Sequence, residues 1–296
     1  MTLSGEEIQA LLGHLHNSVW ELTAIVLALR DDNEDAKRVA EQLGLMENGR
    51  PTEALANFIE VGGRDLPADL SAPVLQCASL ISGARDWTAQ DDAALIAQGQ
   101  ASAQGVPPMK MFVFAMLEGL NDLLAGPAPE MLDVGVGSAS MAVAYCQNIE
   151  NLRIVGLDVF PHVLEIAERV VREAGLSDRI ELRHQSVADL DDVDRFAIGW
   201  MPAPFVPRPA LEAGLRRMVP ALVPGGWLIM GHGGTPEFIG NAQEKAISRF
   251  KTSAFGGTPL GNEEAEALLR GVGLADVKTL PTPKGAPALT VGRRSA

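Results

Sequence analysis

Four residues spaced over seven positions, Asp133-x-Gly135-x-Gly137-x-Ala139, have the types and spacing to hold a ligand. They lie within residues 130–141, EMLDVGVGSASM, where an apolar run ends in Asp133 and a helical pattern opens after the glycines. A strand that stops in a glycine turn and feeds a helix brings backbone close to a ligand, and the helix start offers N–H groups without intrahelical partners. Such an arrangement suits a nucleotide. A second carboxylate, Asp158, ends the next apolar run, RIVGLD, where it can accept from both hydroxyls of a ribose.

The type of nucleotide follows from what the motif lacks. A dinucleotide fingerprint needs a third glycine and an apolar residue two places before the first. Here Ser140 stands at the third glycine position and Asp133 at the apolar one. A carboxylate there opposes a pyrophosphate and attracts a ligand carrying an ammonium and a sulfonium. The turn Pro224-Gly225-Gly226 in LVPGGWL, and a last helix followed by GLADV at 273–277, add to the pattern. Together these features resemble S-adenosylmethionine-dependent methyltransferases of the Rossmann-like class, small-molecule type, over about residues 109–294.

The resemblance implies a seven-stranded doubly wound sheet whose last strand is antiparallel, and S-adenosylmethionine as cofactor. It implies methyl transfer to a small organic acceptor, in secondary or specialised metabolism. Asp133, Gly135, Gly137 and Ala139 would meet the amino-acid end of the cofactor, Asp158 its ribose, and Val159 or Phe160 the adenine face. Ser186 and Val187 stand where the family often has an acidic residue for the adenine edge; the nearest carboxylate is Asp189. Two rival readings share the sheet: a nicotinamide-dependent reductase, which Asp133 and Ser140 oppose, and a cofactor-binding protein with lost or repurposed chemistry.

The acceptor side is expected at residues 199–205, GWMPAPF. Trp200 there suits a sulfonium through cation–π attraction, and Met201 and Phe205 would line an apolar acceptor pocket. Family members that methylate exocyclic amines carry Asn or Asp before the prolines, and Met201 removes that hydrogen-bond acceptor. His232, after the fifth expected strand (LIMGHGG), is the candidate general base. His14, His16, His162 and His184 read as solvated or structural.

The elements that must position these residues divide the chain. Residues 1–106 show only helical spacing, at 5–30, 35–45, 52–61, 73–81 and 89–103. Many small-molecule members of the resembled class place a helical, dimer-forming domain ahead of the cofactor domain, which implies a cap and a homodimer here. In residues 107–296 an apolar helix at 109–124 precedes strands at 131–134, 153–157, 179–183, 196–200, 227–231, 276–280 and 288–291. Helices at 139–147, 161–174, 209–222, 236–250 and 262–271 alternate with them. Parallel strands with crossover helices predict an α/β doubly wound sheet with its ligand at the carboxyl ends.

Composition narrows the partners. A net charge of −14 without a basic stripe argues against nucleic acid. Hydrophobic residues, 47% of the 296, suffice for a large core. Cys77 and Cys146 fit no metal or redox spacing and read as buried free thiols. The start MTLSGEEIQ is unlike a signal peptide, and LTAIVLAL at 22–29 is shorter than a membrane span. A soluble cytoplasmic protein with a small-molecule substrate, no metal and no membrane partner is the expectation.

Overall fold

The computed structural model describes residues 3–62, 65–84, 91–233, 242–282 and 287–295. The chain forms two compact units, Met1–Ser82 with Asp91–Gln104, and Gly83–Gln90 with Gly105–Ala296.

The first unit is built of α1 (Gly5–Arg30), α2 (Glu34–Gln42), α3 (Glu53–Gly62), α4 (Leu66–Ile81) and α5 (Asp92–Ala103). Ser4 and Glu7 close a capping box on α1: the Glu7 N–H donates to Ser4 Oγ at 3.3 Å, and the Ser4 N–H to the Glu7 carboxylate at 2.7 Å. Strands were not expected here, yet β1 (Met46–Glu47) pairs antiparallel with β2 (Arg50–Pro51). Asn48 and Gly49 both take positive φ, +53° and +73°, the turn geometry that matches hairpin twist. Helix α4 begins before the expected residue 73, because Asp65 caps it and Pro67 occupies its first turn. Its Cys77 is exposed, against expectation. Along α1, Ile8, Leu11, Leu12, Leu15, Val19 and Trp20 remain exposed within this chain.

In the second unit the single helix expected at 109–124 is broken into short turns. It comprises α6 (Val106–Pro108), a π turn at Met109–Val113, a 3-10 turn at Phe114–Met116, and α7 (Leu120–Leu124). Pro107 and Pro108 lack N–H donors, and Gly119 at φ +75° redirects the chain. Then follow β3 (Glu130–Val134), α8 (Ser140–Asn148), β4 (Arg153–Asp158), α9 (Pro161–Glu173), β5 (Ile180–His184) and β6 (Phe196–Pro202). The unit continues with α10 (Arg208–Ala221), β7 (Leu222–His232), α11 (Ala242–Ala254), α12 (Asn262–Gly271), β8 (Ala275–Leu280) and β9 (Ala288–Arg293). Residues 236–241 of the helix expected at 236–250 lie outside the described residues.

These strands form the expected seven-stranded sheet, ordered β5-β4-β3-β6-β7-β9-β8. All neighbours are parallel except β9, antiparallel to both β7 and β8. The strand β7 starts earlier than residue 227 and includes Pro224-Gly225-Gly226. Gly225 N donates to the Arg294 carbonyl at 3.0 Å and Arg294 N to that of Gly226 at 2.8 Å, so backbone pairing extends through the glycines. A Cβ at Gly226 would lie 2.9–3.1 Å from three carbonyl oxygens, so only glycine fits.

Alternation along β3 sends Met131 into one core and Leu132 and Val134 into the other. Burying both faces explains the near-continuous apolar strands. None of the described helices is long and apolar enough to cross a membrane.

Candidate functional site

The glycine loop between β3 and α8 takes positive φ at alternate residues: Gly135 +65°, Gly137 +58° and Ala139 +58°. Its fold depends on β4. The Val136 N–H donates to the Leu157 carbonyl at 2.9 Å, and Val136 occupies the space that a Cβ on Gly156 would need, at 2.7 Å. Ala139 pays for its left-handed backbone with about 1–2 kcal/mol of strain, of the kind that concentrates at functional sites. The α8 N-terminus that follows has no side-chain cap, which leaves first-turn N–H groups for a ligand.

Asp158 fixes this loop. Its Oδ2 accepts from the Gly137 N–H and its Oδ1 from the Phe160 N–H, both at 3.1 Å. Burial raises its pKa, while those backbone donors and Val159 oppose the rise. The carboxylate therefore shapes the loop besides any contact with a ribose. Sequence reasoning missed that role, as it missed buried Ser138, whose Oγ lies 2.9 Å from Ser140 Oγ. No pattern signals either contact, since both depend on the loop's path.

Asp133 is the anomaly of the site. It is the penultimate residue of β3, at 1% exposure, and neither carboxylate oxygen has a hydrogen-bond partner. Burial, with the neighbouring Asp158 charge adding to it, raises its pKa to about 7. Tyr145 of α8, stacked on Phe114 with ring centroids 5.9 Å apart, is the other ionisable group that senses this charge. A buried carboxyl without a donor is costly, and native proteins rarely retain one without a role. An ammonium-bearing ligand at the loop would supply the missing donor, so the residues present fit a cationic cofactor.

The remaining candidates separate. Val159 is 47% exposed and Phe160 half-buried. Ser186 caps a 3-10 turn, its Oγ accepting from the Ala188 N–H at 3.2 Å. The Val187 side chain turns toward α10, where a Cβ on Gly214 would approach it to 2.5 Å. Trp200 pairs in register with Asp133, and its indole lies over Gly231, 2.6 Å from where a Cβ would stand. Phe205 is 39% exposed on the turn after β6.

Two expectations need correction. Met201, expected in the acceptor pocket, is fully buried in the core beneath α10, because successive strand residues face opposite sides of the sheet. His232, expected as general base, is 1% exposed and both its ring nitrogens are engaged. Nδ1 lies 3.1 Å from the Gly233 carbonyl oxygen and Nε2 2.8 Å from Thr290 Oγ1. The structure thus brings Asp133, the glycine loop, Asp158 and Trp200 to one end of the sheet, turns Met201 into the core and binds His232 into the neighbouring strands.

Comparison with known proteins points the same way. Residues 131–226 match a family model described as a methyltransferase domain. The release factor glutamine methyltransferase of Rhodopirellula baltica is 28% identical over 124 residues, 42% of this chain and 41% of that protein. The chain therefore spans about two-fifths of the length of that curated relative. Among solved structures, an O-methyltransferase family protein from Burkholderia thailandensis superposes with a TM-score of 0.68 at 15% identity, over 100% of this chain and 99% of its own. A candidate O-methyltransferase from Nostoc punctiforme gives 0.59 at 17% identity, over 99% of this chain and 100% of its own. At such identities the solved structures speak to fold, and the matched family model to the domain. Residues 131–226 thus match a methyltransferase domain, and the fold around them is Rossmann-like α/β.

Proposed function

We propose that the protein transfers a methyl group from S-adenosylmethionine to a small organic acceptor. The observation that carries this reading is Asp133, a buried carboxyl without a donor at the mouth of a glycine loop. A dinucleotide would bring phosphates to that carboxyl, whereas S-adenosylmethionine brings an ammonium and a sulfonium. The cofactor supplies a methyl group already activated by positive sulfur. The protein's work is to orient the partners and exclude water.

Each residue has a part in that reading. Asp133 accepts from the ammonium, and the close-approaching backbone of the glycine loop and the N–H groups of the first turn of α8 face the amino-acid end. Asp158 accepts from the ribose while holding Gly137, and Val159, Phe160 and Ser186 border the adenine. Trp200 offers its ring to the cation, and Phe205 borders the acceptor. With His232 bonded into the sheet, the reading assigns no histidine as base and favours an acceptor whose nucleophile forms without one. The exposed apolar face of α1 further supports a homodimer, for which sedimentation should give twice the chain mass.

Titration calorimetry of the purified protein with S-adenosylmethionine tests the core of this reading. We expect saturable binding that NADH does not compete away. Absence of saturable binding overturns it, and binding without methyl transfer from labelled cofactor to any small-molecule acceptor favours the repurposed-chemistry alternative.

A further inference from the structure

The antiparallel edge of the sheet contains an unbroken line of polar contacts that crosses three strands and ends on α12. It starts at the Gly233 carbonyl, 3.1 Å from His232 Nδ1. It continues from Nε2 to Thr290 Oγ1 at 2.8 Å, on to Thr279 Oγ1 at 2.9 Å, and then to Glu266 Oε1 at 3.0 Å. Thr290 is fully buried, and Thr279 and Thr290 are directly opposed residues of β8 and β9.

Glu266 sets the direction of every bond in the line. Its Oε2 accepts from Arg270 Nη2 at 2.7 Å, and its Oε1 accepts from the Thr279 N–H at 3.0 Å. Against the opposing effect of burial, Arg270 and Thr279 hold this carboxyl below the ordinary range. An ionised carboxylate only accepts, so the Thr279 hydroxyl donates to it. Having one proton, Thr279 must then accept from Thr290. Thr290 has none left for the ring, so Nε2 donates to it. A carbonyl also only accepts, so Nδ1 donates to Gly233. An imidazole that donates from both nitrogens is an imidazolium.

We infer that His232 is held as a cation, joined to the Glu266 carboxylate through two threonine hydroxyls, and acts as a positioning residue. It ties the carboxyl end of β7, beside Trp200, to β9, β8 and α12. Taken alone, burial outweighs the Leu260 and Gly233 carbonyls that favour protonation and lowers the ring's pKa, whereas the fixed hydrogen-bond directions require the charged ring. A neutral ring with Glu266 ionised would leave one contact of the line without a proton, either a pair of oxygens at 2.9 or 3.0 Å or the Nδ1–Gly233 carbonyl pair at 3.1 Å. The surrounding elements carry other ionisable groups: Arg270 on α12, Asp276 and Lys278 on β8, and Glu244, Lys245 and Arg249 on α11. The hydroxyl line leads to Glu266.

This inference does not depend on the identity of the cofactor. Nitrogen-15 NMR of the full-length protein, with His232 assigned through its backbone, reads its protonation directly. Both ring nitrogens are expected at imidazolium shifts up to at least about pH 8, above the ordinary histidine range. Glu266→Gln removes the anion that anchors the line and balances the imidazolium, so the ring should become neutral at pH 7. Thr290→Val, which removes the bridge, should lower the titration midpoint by at least about one pH unit, a tenfold change in proton affinity. A wild-type ring with one unprotonated nitrogen at pH 7 overturns the inference, and that measurement needs no variant to fold. An unchanged midpoint in Glu266→Gln overturns it equally.

Discussion

The five residues of β3 carry two acids with opposite fates. Glu130, at the amino end, accepts from Arg195 Nε at 2.6 Å. The same arginine reaches Asp192 at 2.7 Å and Glu181 at 3.1 Å, and Arg183 binds Glu181 and Asp192 at 2.7 Å each. Asp133, at the carboxyl end, has no donor on either oxygen. The antiparallel edge also differs from Asp133, since His232, Thr290, Thr279, Glu266 and Arg270 are each bonded to the next. Among the described residues Asn262 Oδ1 is the other buried side-chain oxygen without a partner, and Asp133 is the one ionisable group in that state. Stability alone would have paired or removed Asp133; its retention points to a partner that arrives from solution.

Asp133→Asn tests that contrast most sharply. The folded protein holds the Asp133 proton up to about pH 7, whereas an ordinary aspartate releases it near 3.8. Between those values the folded state binds more protons, so the stability associated with this group is intact below pH 4, falls as pH rises, and is lost above 7. The difference of about 3 units corresponds to about 4 kcal/mol. Urea denaturation should find the asparagine variant more stable at pH 8 by a few kcal/mol, with the gain fading towards pH 4, while calorimetry shows S-adenosylmethionine binding weakened at least about tenfold. A gain that ignores pH would mean that Asp133 is not the strained group.

The opposite end should behave in reverse. Arg195→Ala removes the shared donor of three partly exposed acids and should cost about 2 kcal/mol, with cofactor affinity unchanged within about twofold. Loss of binding in that variant would break the division between the two ends. A smaller effect is expected at Ala139, where glycine relieves the left-handed backbone at some cost in chain entropy. Ala139→Gly should gain about 0.5–1 kcal/mol by thermal or urea melting. The smallest belongs to Arg208, whose partners Glu212 and Glu264 are exposed. Arg208→Ala should stay within about 0.5 kcal/mol of wild type in the same melts.

How much of this the residues announce depends on how local the cause is. The sheet, and the positions of the glycine loop, Asp133 and Asp158 near the carboxyl ends of β3 and β4, were legible, because apolar runs and glycine spacing act within a few residues. The broken segment at 106–124 was not, since its helical spacing is real but two prolines and a left-handed Gly119 override it. The strand extension through Pro224-Gly225-Gly226 depends on Arg294, which lies far along the chain. Met201 was misplaced by reading 199–205 as one apolar wall, when the two-residue period of a strand sends Trp200 and Met201 to opposite faces. His232 was misread because Thr290, Thr279 and Glu266 reach it only through the register of β7, β9 and β8.

The position of β9 has a consequence for biosynthesis. It is the last of the seven strands to emerge from the ribosome, yet it lies between β7 and β8. Until residues 288–293 are free, β7 presents an open edge to every other nascent chain, and β8 has no neighbour to join. The interval between synthesis of Leu222–His232 and of Ala288–Arg293 is thus the period of greatest aggregation risk. Translation speed over about the last quarter of the chain, rather than the thermodynamics of the finished sheet, is where the yield of native protein would be decided.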